Sequence, residues 1–172
     1  MKDSYVQVYT GNGKGKTTAA AGLAMRAAGS GLDVKFVQFL KGRKSGEVQM
    51  LSGMDGVEVL RAAASKKFYH EMSGEEKRGM RLEVVEALRT IRSFLGQADM
   101  IVLDEALGAL STGLLTRDEV TGIIEHRGGT EIVLTGRDAP QWLIDAANLV
   151  SEMRDVKHYM DAGVAARRGI EF

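Results

Sequence analysis

Eight residues near the amino end of the chain have the types and spacing of a phosphate-binding loop. They are Thr10-Gly11-Asn12-Gly13-Lys14-Gly15-Lys16-Thr17. The glycines let the backbone turn its N–H groups toward anionic oxygens, and a following helix would add the positive end of its dipole. Lys16 would reach the phosphates as a point charge, and the Thr17 hydroxyl would bind Mg²⁺. Thr10 stands where the usual pattern has glycine, but the Gly-Lys-Thr ending carries the chemistry, so the segment predicts a triphosphate site.

Two adjacent carboxylates form a second candidate element. Asp104 and Glu105 follow the uninterrupted apolar run Met100-Ile101-Val102-Leu103. The carboxyl end of a buried strand is where open α/β sheets bind ligands, and a carboxylate there can hold magnesium opposite Thr17. We expect Asp104 and Glu105 to serve the metal, with Glu105 favoured as the direct ligand. Asp104 could instead, or also, cap the helix that follows.

Further basic residues are candidates for contact with the nucleotide. Arg137 follows another apolar run, and Lys41 opens the basic segment 41–44 after an earlier one. Each could meet phosphate at the same sheet edge or lie in solvent. Arg26 could contact ribose or adenine, although a solvated helix arginine is the simpler interpretation. The nucleotide-binding candidates are Gly11, Asn12, Gly13, Lys14, Gly15, Lys16, Thr17, Thr18, Arg26 and Lys41.

Hydrophobic patterns predict the elements that position these residues. Apolar or alternating runs predict strands at 6–9, 34–40, 57–60, 100–103, 132–135 and 149–153. Helical patterns cover 17–28, 74–97, 118–126 and 140–147. Strands that alternate with helices predict an α/β fold whose central sheet is mostly parallel and has helices on both faces. No linker or repeat interrupts the chain, so residues 1–172 are interpreted as one domain.

Composition excludes several classes of protein. The 172 residues include 23 lysines and arginines against 23 aspartates and glutamates, and this balance argues against a nucleic-acid partner. The absence of cysteine excludes disulfides, thiolate catalysis and cysteine-bound zinc. No apolar run approaches the roughly 20 residues of a membrane helix, and the amino end lacks the apolar stretch of a signal peptide. We therefore expect a cytoplasmic protein without a membrane partner.

Several segments, in order along nearly the whole chain, match one family. Besides residues 10–20, they are Val37-Gln38-Phe39-Leu40-Lys41-Gly42, Val102-Leu103-Asp104-Glu105, Leu134-Thr135-Gly136-Arg137, Val150-Ser151-Glu152-Met153, Val156-Lys157-His158, Asp161-Ala162-Gly163 and Gly169-Ile170-Glu171-Phe172. With these motifs the chain resembles the P-loop type ATP:cob(I)alamin adenosyltransferases. The Val-Lys-His segment and the Gly-Ile-Glu-Phe ending are the most diagnostic.

The resemblance implies a RecA-like P-loop NTPase fold, usually dimeric. It also implies that a reduced, Co(I) corrinoid attacks C5′ of ATP and that triphosphate leaves, with the nucleotide lying in the loop in reversed polarity. Lys16, Glu105 and Arg137 are then the expected catalytic residues, and the charge that builds on the leaving oxygen would be stabilised by Lys16, the loop N–H groups and Mg²⁺. A flavoprotein reductase is the expected partner that supplies Co(I).

Three places depart from the family pattern. Relatives set aromatic residues against the lower corrin face; Phe68 falls at one such position, and His70 stands where some relatives have tryptophan. Both are candidates to bind the corrinoid, although a loop aromatic that packs on the protein is an equal alternative, and a histidine there could ligate cobalt. Larger relatives cover the site with a segment before the first strand, so we expect closure from the 41–53 loop. Residues 106–110 are apolar where relatives are more often polar or aromatic.

Two other functions remain open from the residues alone. The phosphate loop by itself would also suit a small-molecule kinase or ATPase, which would form ADP and need a base for the acceptor. A module that binds ATP or corrinoid without turnover is the third possibility, because one fold carries many functions.

Overall fold

The structure is a computed structural model that describes residues 3–40, 42, 45–63, 65, 67 and 69–171. Two predicted candidates, Lys41 and Phe68, therefore lie outside the described residues.

The described chain forms a six-stranded sheet in which every pair of neighbouring strands is parallel. The strands are β1 (Val6–Thr10), β2 (Val34–Phe39), β3 (Val57–Ala62), β4 (Met100–Asp104), β5 (Glu131–Thr135) and β6 (Leu149–Glu152). Their order across the sheet is β3-β2-β4-β5-β1-β6. Because all strands run the same way, the loops that follow β1, β2, β4 and β5 meet at one edge, where a site can form.

Helices connect these strands, as parallel pairing requires. They are α1 (Lys16–Gly29), α2 (Gly46–Leu51), α3 (Gly74–Phe94), α4 (Ala106–Ser111), α5 (Arg117–Glu125) and α6 (Gln141–Ala146). Short 3₁₀ helices span Tyr69–Glu71 and Tyr159–Ala162. In the described part of the chain, each helix is too short or too polar to cross a bilayer.

The core lies in two layers, one on each face of the sheet. On one face, α1 and α2 pack through residues such as Ala20, Ala24 and Val48 against Phe36 of β2. On the other face, α3 and α5 bury apolar stripes, and α4 and α6 complete the layer. The predicted fold class, a parallel sheet with helices on both faces, is therefore confirmed.

The predicted strands and long helices are present, with bounds that differ by a few residues. The predicted stripe on α3 is buried at Met80, Val84, Leu88 and Ile91. Helices α2 and α4 were not predicted. Each has six residues, too few to show a 3.6-residue period, whereas α6, which is equally short, is indicated by Pro140 at its start.

Both short helices belong to the protein's packing. Val48 and Leu51 of α2 are buried. In α4, where relatives more often have polar or aromatic residues, Ala106, Leu107 and Ala109 are apolar and buried. A Cβ at Gly136 would lie 2.6 Å from Leu107 Cβ, so α4 lies tightly against the end of β5. The apolar departure at 106–110 thus has a structural cause.

Candidate functional site

The predicted phosphate loop joins β1 to α1, as expected, and α1 begins without a side-chain cap. Its N-cap residue, Gly15, has φ +114°, and the first turn of α1 holds no acidic residue. Helices α3 and α5 differ, because Ser73 and Thr116 each form a capping box that has a glutamate in the first turn. A helix end that carries neither a cap nor a carboxylate presents backbone N–H groups and a positive dipole end to an anion.

Lys16 directs its ammonium group across the loop. Its Nζ donates to the carbonyl oxygens of Gly11 and Gly13, at 2.7 Å each. The cation is therefore held at the centre of the loop by neutral acceptors, which a phosphate oxygen can outcompete because hydrogen bonds between ions are stronger.

The neighbouring hydroxyl, that of Thr17, points to the sheet. Thr17 Oγ1 donates to Asp104 Oδ1 at 2.8 Å. The two candidate elements found in the sequence, the loop and the acidic pair, are thus brought into direct contact.

Asp104 is fully buried and gathers donors from several elements. Besides Thr17 of α1, it accepts from Thr135 Oγ1 of β5 at 2.7 Å and from Gln38 Nε2 of β2 at 3.1 Å. A buried carboxylate needs such donors because desolvation penalises its charge. Asp104 is the last residue of β4, and the N-cap of α4 is Glu105, so the alternative that Asp104 caps that helix is wrong. We call Asp104, Thr17, Thr135 and Gln38 the buried network.

Glu105 lies beside this network in a strained backbone conformation. Its φ is +60°, in the left-handed region that non-glycine residues rarely adopt, and its N–H donates to Thr135 Oγ1 at 3.0 Å. The sharp turn after β4 leaves the Glu105 side chain partly exposed at the sheet edge, while Asp104 stays inside. The two carboxylates therefore have different environments despite being adjacent.

The oxygen atoms of Thr17 and the two carboxylates at this sheet edge are of the type that ligates magnesium. Thr17 places its hydroxyl hydrogen on Asp104, which leaves the oxygen lone pairs for a cation, and Glu105 follows Asp104 with a second carboxylate. Mg²⁺ prefers oxygen ligands and binds through one or two carboxylates plus phosphates and water. Among the described residues, no group of three or more His, Cys, Asp or Glu side chains is arranged to hold a metal ion.

The exit of β6 forms the back wall of the loop. Gly13 N donates to Met153 O at 2.7 Å, and Met153 N donates to Thr10 O at 2.8 Å. A Cβ at Gly11 would lie 2.4 Å from Met153 O, and one at Gly13 would lie 2.8 Å from the same oxygen. These two glycines are thus required for close contact with the backbone of Met153, just after β6, a role that the phosphate-loop motif alone does not reveal.

Lys14 and Asn12 also turn toward the carboxyl-terminal part of the chain. Asn12 Oδ1 accepts from Asp155 N at 3.3 Å. Lys14 Nζ donates to Tyr159 Oη at 3.0 Å and to Glu171 Oε1 at 3.1 Å. The structure therefore places the Lys14 ammonium beside a carboxylate, and its contact with the nucleotide stays a prediction.

Glu171 is the centre of a surface cluster, which consists of Lys14, Tyr159, Arg167 and Glu171. The Glu171 carboxylate accepts from Tyr159 Oη, from Lys14, and from Arg167 N at 2.6 Å. Hydrogen bonds, the strongest effect coming from Arg167 and the next from Tyr159, hold the pKa of Glu171 well below its ordinary value. Hydrogen bonds raise the pKa of Lys14, with the largest effect from Tyr159 and the next from Glu171. The family ending that contains Glu171 is thus tied to the phosphate loop.

A cavity of about 390 Å³ opens between the loop and the segment after β6. It is lined by Lys14, Arg154, Asp155, Val156, Lys157, His158 and Tyr159. The Val-Lys-His motif lies in this wall, where His158 Nδ1 accepts from Met160 N at 3.1 Å. The motif is therefore a neighbour of the loop.

Other predicted residues lie farther away. Arg137 is exposed after β5, at the same sheet edge as the loop, whereas Arg26 lies in the last turn of α1. Ten residues of helix separate Arg26 from Lys16, about 15 Å along the axis. Thr18 Oγ1 donates to Glu47 Oε1 at 3.2 Å, which turns it toward α2. His70 is exposed in the 3₁₀ helix after β3. Arg137 thus lies at the sheet edge that carries the loop, and Arg26 lies at the other end of α1.

Comparisons with known proteins agree along the whole chain. A family model described as ATP:corrinoid adenosyltransferase BtuR/CobO/CobP matches residues 2–172. The corrinoid adenosyltransferase CobA of Salmonella typhimurium is 39% identical over 168 residues, which cover 96% of this chain and 84% of that protein. A corrinoid adenosyltransferase of Pseudomonas aeruginosa is 36% identical over 168 residues, with 96% and 82% covered. One from Sinorhizobium is 32% identical over 170 residues, with 96% and 78% covered.

Proposed function

The chain belongs to the ATP:corrinoid adenosyltransferase family and is a transferase, and we propose that its phosphate loop and buried network carry out the reaction. The reaction moves the 5′-deoxyadenosyl group of ATP to the cobalt of a corrinoid. A single observation carries the assignment of the site: the loop hydroxyl of Thr17 donates to the buried carboxylate of Asp104 at 2.8 Å. This contact joins the nucleotide-binding loop to the acidic strand end in one structure.

The bond changes determine what the protein must do. Co(I) supplies the electron pair for the new cobalt–carbon bond, the C5′–O bond breaks, and its electron pair leaves with triphosphate. Because Co(I) is a strong nucleophile, no protein nucleophile or strong general base is needed. Negative charge develops on the departing oxygen, so the protein's task is to stabilise that charge.

Lys16 and the start of α1 are placed for this task. The Lys16 ammonium already lies at the centre of the loop on two carbonyl oxygens, and it would exchange them for phosphate oxygens. The uncapped N-terminus of α1 adds backbone N–H groups that point the same way. Both donors are fixed before the reaction, which makes their stabilisation of the leaving charge effective.

The buried network and Glu105 would hold the Mg²⁺ ion that is bound to the phosphates of ATP. Thr17, oriented by Asp104, and Glu105 are the residues proposed to hold Mg²⁺, with Glu105 as the favoured carboxylate ligand. When bound, the ion would neutralise charge on the phosphate oxygens. Arg137, exposed at the same edge, is proposed to contact the triphosphate.

The finer assignments remain proposals. His70 and Phe68 would contact the corrin, a flavoprotein reductase would supply the electron, and the protein would act as a homodimer in the cytoplasm. The expected closure by residues 41–53 also stays a prediction, although α2 lies within that segment and packs on α1.

The function is tested by supplying ATP, Mg²⁺ and a corrinoid reduced to Co(I). We expect a light-sensitive cobalt–carbon product and triphosphate in equal amounts. The matched control is the same mixture with oxidised corrinoid, which should give neither product. ADP without adenosylated corrinoid would favour a kinase or ATPase, and tight binding without turnover would favour a binding module.

A further inference from the structure

Gln38 of β2 contains a buried oxygen that has no partner. The residue is 2% exposed, and its Nε2 donates to Asp104 Oδ2 at 3.1 Å. Its Oε1 is also buried, yet it accepts no hydrogen bond within the described structure. Buried polar atoms in folded proteins nearly always have partners, so each exception calls for an explanation.

The orientation of this amide is fixed by its neighbours. A carboxylate only accepts hydrogen bonds, so the nitrogen of Gln38 must face Asp104, and the oxygen must point elsewhere. The two nearby hydroxyls cannot serve that oxygen, because Thr17 and Thr135 both donate to Asp104 Oδ1. Turning the amide over would only exchange an unpaired acceptor for a repulsive pair of oxygens.

A second strand glutamine shows what a completed arrangement looks like. Gln7 of β1 also donates its Nε2 to a carboxylate on the neighbouring strand, Glu131 Oε1, at 2.7 Å. There the amide oxygen accepts from Tyr9 Oη at 2.8 Å. In both glutamines the amide nitrogen donates to a carboxylate, but only in Gln7 does the amide oxygen accept a hydrogen bond. The missing partner is therefore specific to the site around Asp104.

We propose that Gln38 is a positioning residue whose Oε1 accepts a hydrogen bond from a water molecule bound to the divalent cation of the nucleotide. This inference rests on the proposed function, which brings ATP and Mg²⁺ to Asp104 and Thr17. Water on Mg²⁺ is a strong donor, and Mg²⁺ in nucleotide sites usually keeps several waters. Gln38 would thus link two groups: its nitrogen orients Asp104, and its oxygen accepts a hydrogen bond from water on the ion.

The consequence is a contribution of Gln38 to ATP binding that exists only when Mg²⁺ is present. Gln38→Met keeps an unbranched side chain and removes both polar atoms. We expect it to reduce the Mg²⁺-dependent gain in ATP affinity about tenfold, the effect of losing one such hydrogen bond, and to leave binding of metal-free ATP unchanged.

Calorimetric titration of the full chain with ATP, in Mg²⁺ and in EDTA, measures both quantities without a corrinoid. The matched control is Gln7→Met, which removes the same donor contact outside the loop and the buried network and should keep the full Mg²⁺ gain. A Gln38→Met protein that keeps this gain would overturn the proposal. So would an equal loss with and without Mg²⁺, since that indicates a role in folding alone.

A measurement on the unaltered protein covers the case in which Gln38→Met does not fold. Gln38 is the buried member of five glutamines, so its side-chain amide protons should exchange slowest with solvent. The side-chain carbonyl ¹³C signal of that amide should shift when Mg²⁺ is added to the ATP complex, and absence of a shift would refute the proposal. Failure of the proposed function would instead appear as missing adenosylated corrinoid with the unaltered protein, whichever way Mg²⁺ acts on Gln38.

Discussion

The phosphate loop is held from two sides by the same kind of chemistry in different surroundings. On the sheet side, the Asp104 carboxylate accepts hydrogen bonds from Thr17, Thr135 and Gln38, and it is completely buried. On the outer side, the Glu171 carboxylate accepts from Lys14 and its neighbours at the protein surface. Each carboxylate accepts hydrogen bonds from at least three donors, and yet the two should contribute very differently to stability and turnover.

The difference lies in what replaces a lost contact. In the buried network, removing the carboxylate leaves the buried donors of Gln38 and Thr135 without a partner, and each unpaired buried group is destabilising. In the surface cluster, water and dissolved ions take the place of a lost partner, so such pairs contribute little. Burial, and not the number or the formal charge of the contacts, should therefore rank the variants.

The largest effect is expected for Asp104→Ala. Two hydroxyls and an amide lose their acceptor, so the free energy of unfolding should fall by about 3 kcal/mol, and loss of the Thr17 orientation should slow turnover about 10- to 100-fold. Chemical denaturation and adenosylation assays measure the two effects. Asp99→Ala, at the opposite end of β4, is the control and should retain normal turnover. Normal activity in Asp104→Ala would remove the distinction between the two sides.

An intermediate effect is expected where the phosphate loop lies against the backbone of Met153, just after β6. Gly11→Ala would place a Cβ 2.4 Å from Met153 O at a φ of +97°, so the loop or β6 must move. Destabilisation by about 2 kcal/mol is expected. Gly22→Ala, on an open face of α1, should instead stabilise by about 0.5–1 kcal/mol. Equal melting temperatures for the two variants would show that the back wall is loose.

A small effect is expected for Glu171→Gln. The amide retains the shape of the carboxylate, and solvent can replace its ionic contacts with Lys14 and Arg167. Turnover at saturating ATP should change less than about threefold, and added salt should reduce the difference further. A loss as large as that of Asp104→Ala would mean that the surface cluster is part of the catalytic site.

The smallest effect is expected from pH. The pKa of Glu171 is lowered from 4.5, so its contribution is present above that value and is lost as pH falls through the lower folded pKa. The pKa of Lys14 is raised from 10.5, so its contribution is present below that value and is lost as pH rises through the higher folded pKa. Between these limits neither Glu171 nor Lys14 should change its charge. Unfolding of Glu171→Gln and the unaltered protein from pH 6 to 9 should differ by a constant amount.

Topology made the sheet side of the loop predictable. Hydrophobic patterns identify β1 and β4, and parallel order brings their carboxyl ends to one edge, so a carboxylate of the Asp104–Glu105 pair was expected to hold magnesium opposite Thr17. The direct hydrogen bond between Thr17 and Asp104 was not expected, because only the structure shows that Asp104 ends β4 and that Glu105 begins the turn into α4. A polar residue inside the apolar β2 was the signal that could have pointed to Gln38.

The outer side could not be predicted from periodicity. Lys14 meets Tyr159 and Glu171, which lie 145 and 157 residues away, and no spacing rule links positions so far apart. The family resemblance pointed to the Glu171 ending as diagnostic but not to its contact with Lys14. Helices α2 and α4 were missed for a different reason: six residues make less than two helical turns, and neither helix has a proline at its start, as α6 does.

The central claim is that the loop stabilises triphosphate as it leaves C5′, and the rate of cobalt–carbon bond formation in a single turnover tests it most directly. With saturating ATP, Mg²⁺ and Co(I) corrinoid, Lys16→Ala should slow this step about 100- to 1,000-fold, because a fixed charged donor to the leaving oxygen is lost. Lys35→Ala, whose ammonium pairs with Asp33 and Glu58 at the far end of β2, should react at the normal rate. An unchanged rate in Lys16→Ala would contradict the account.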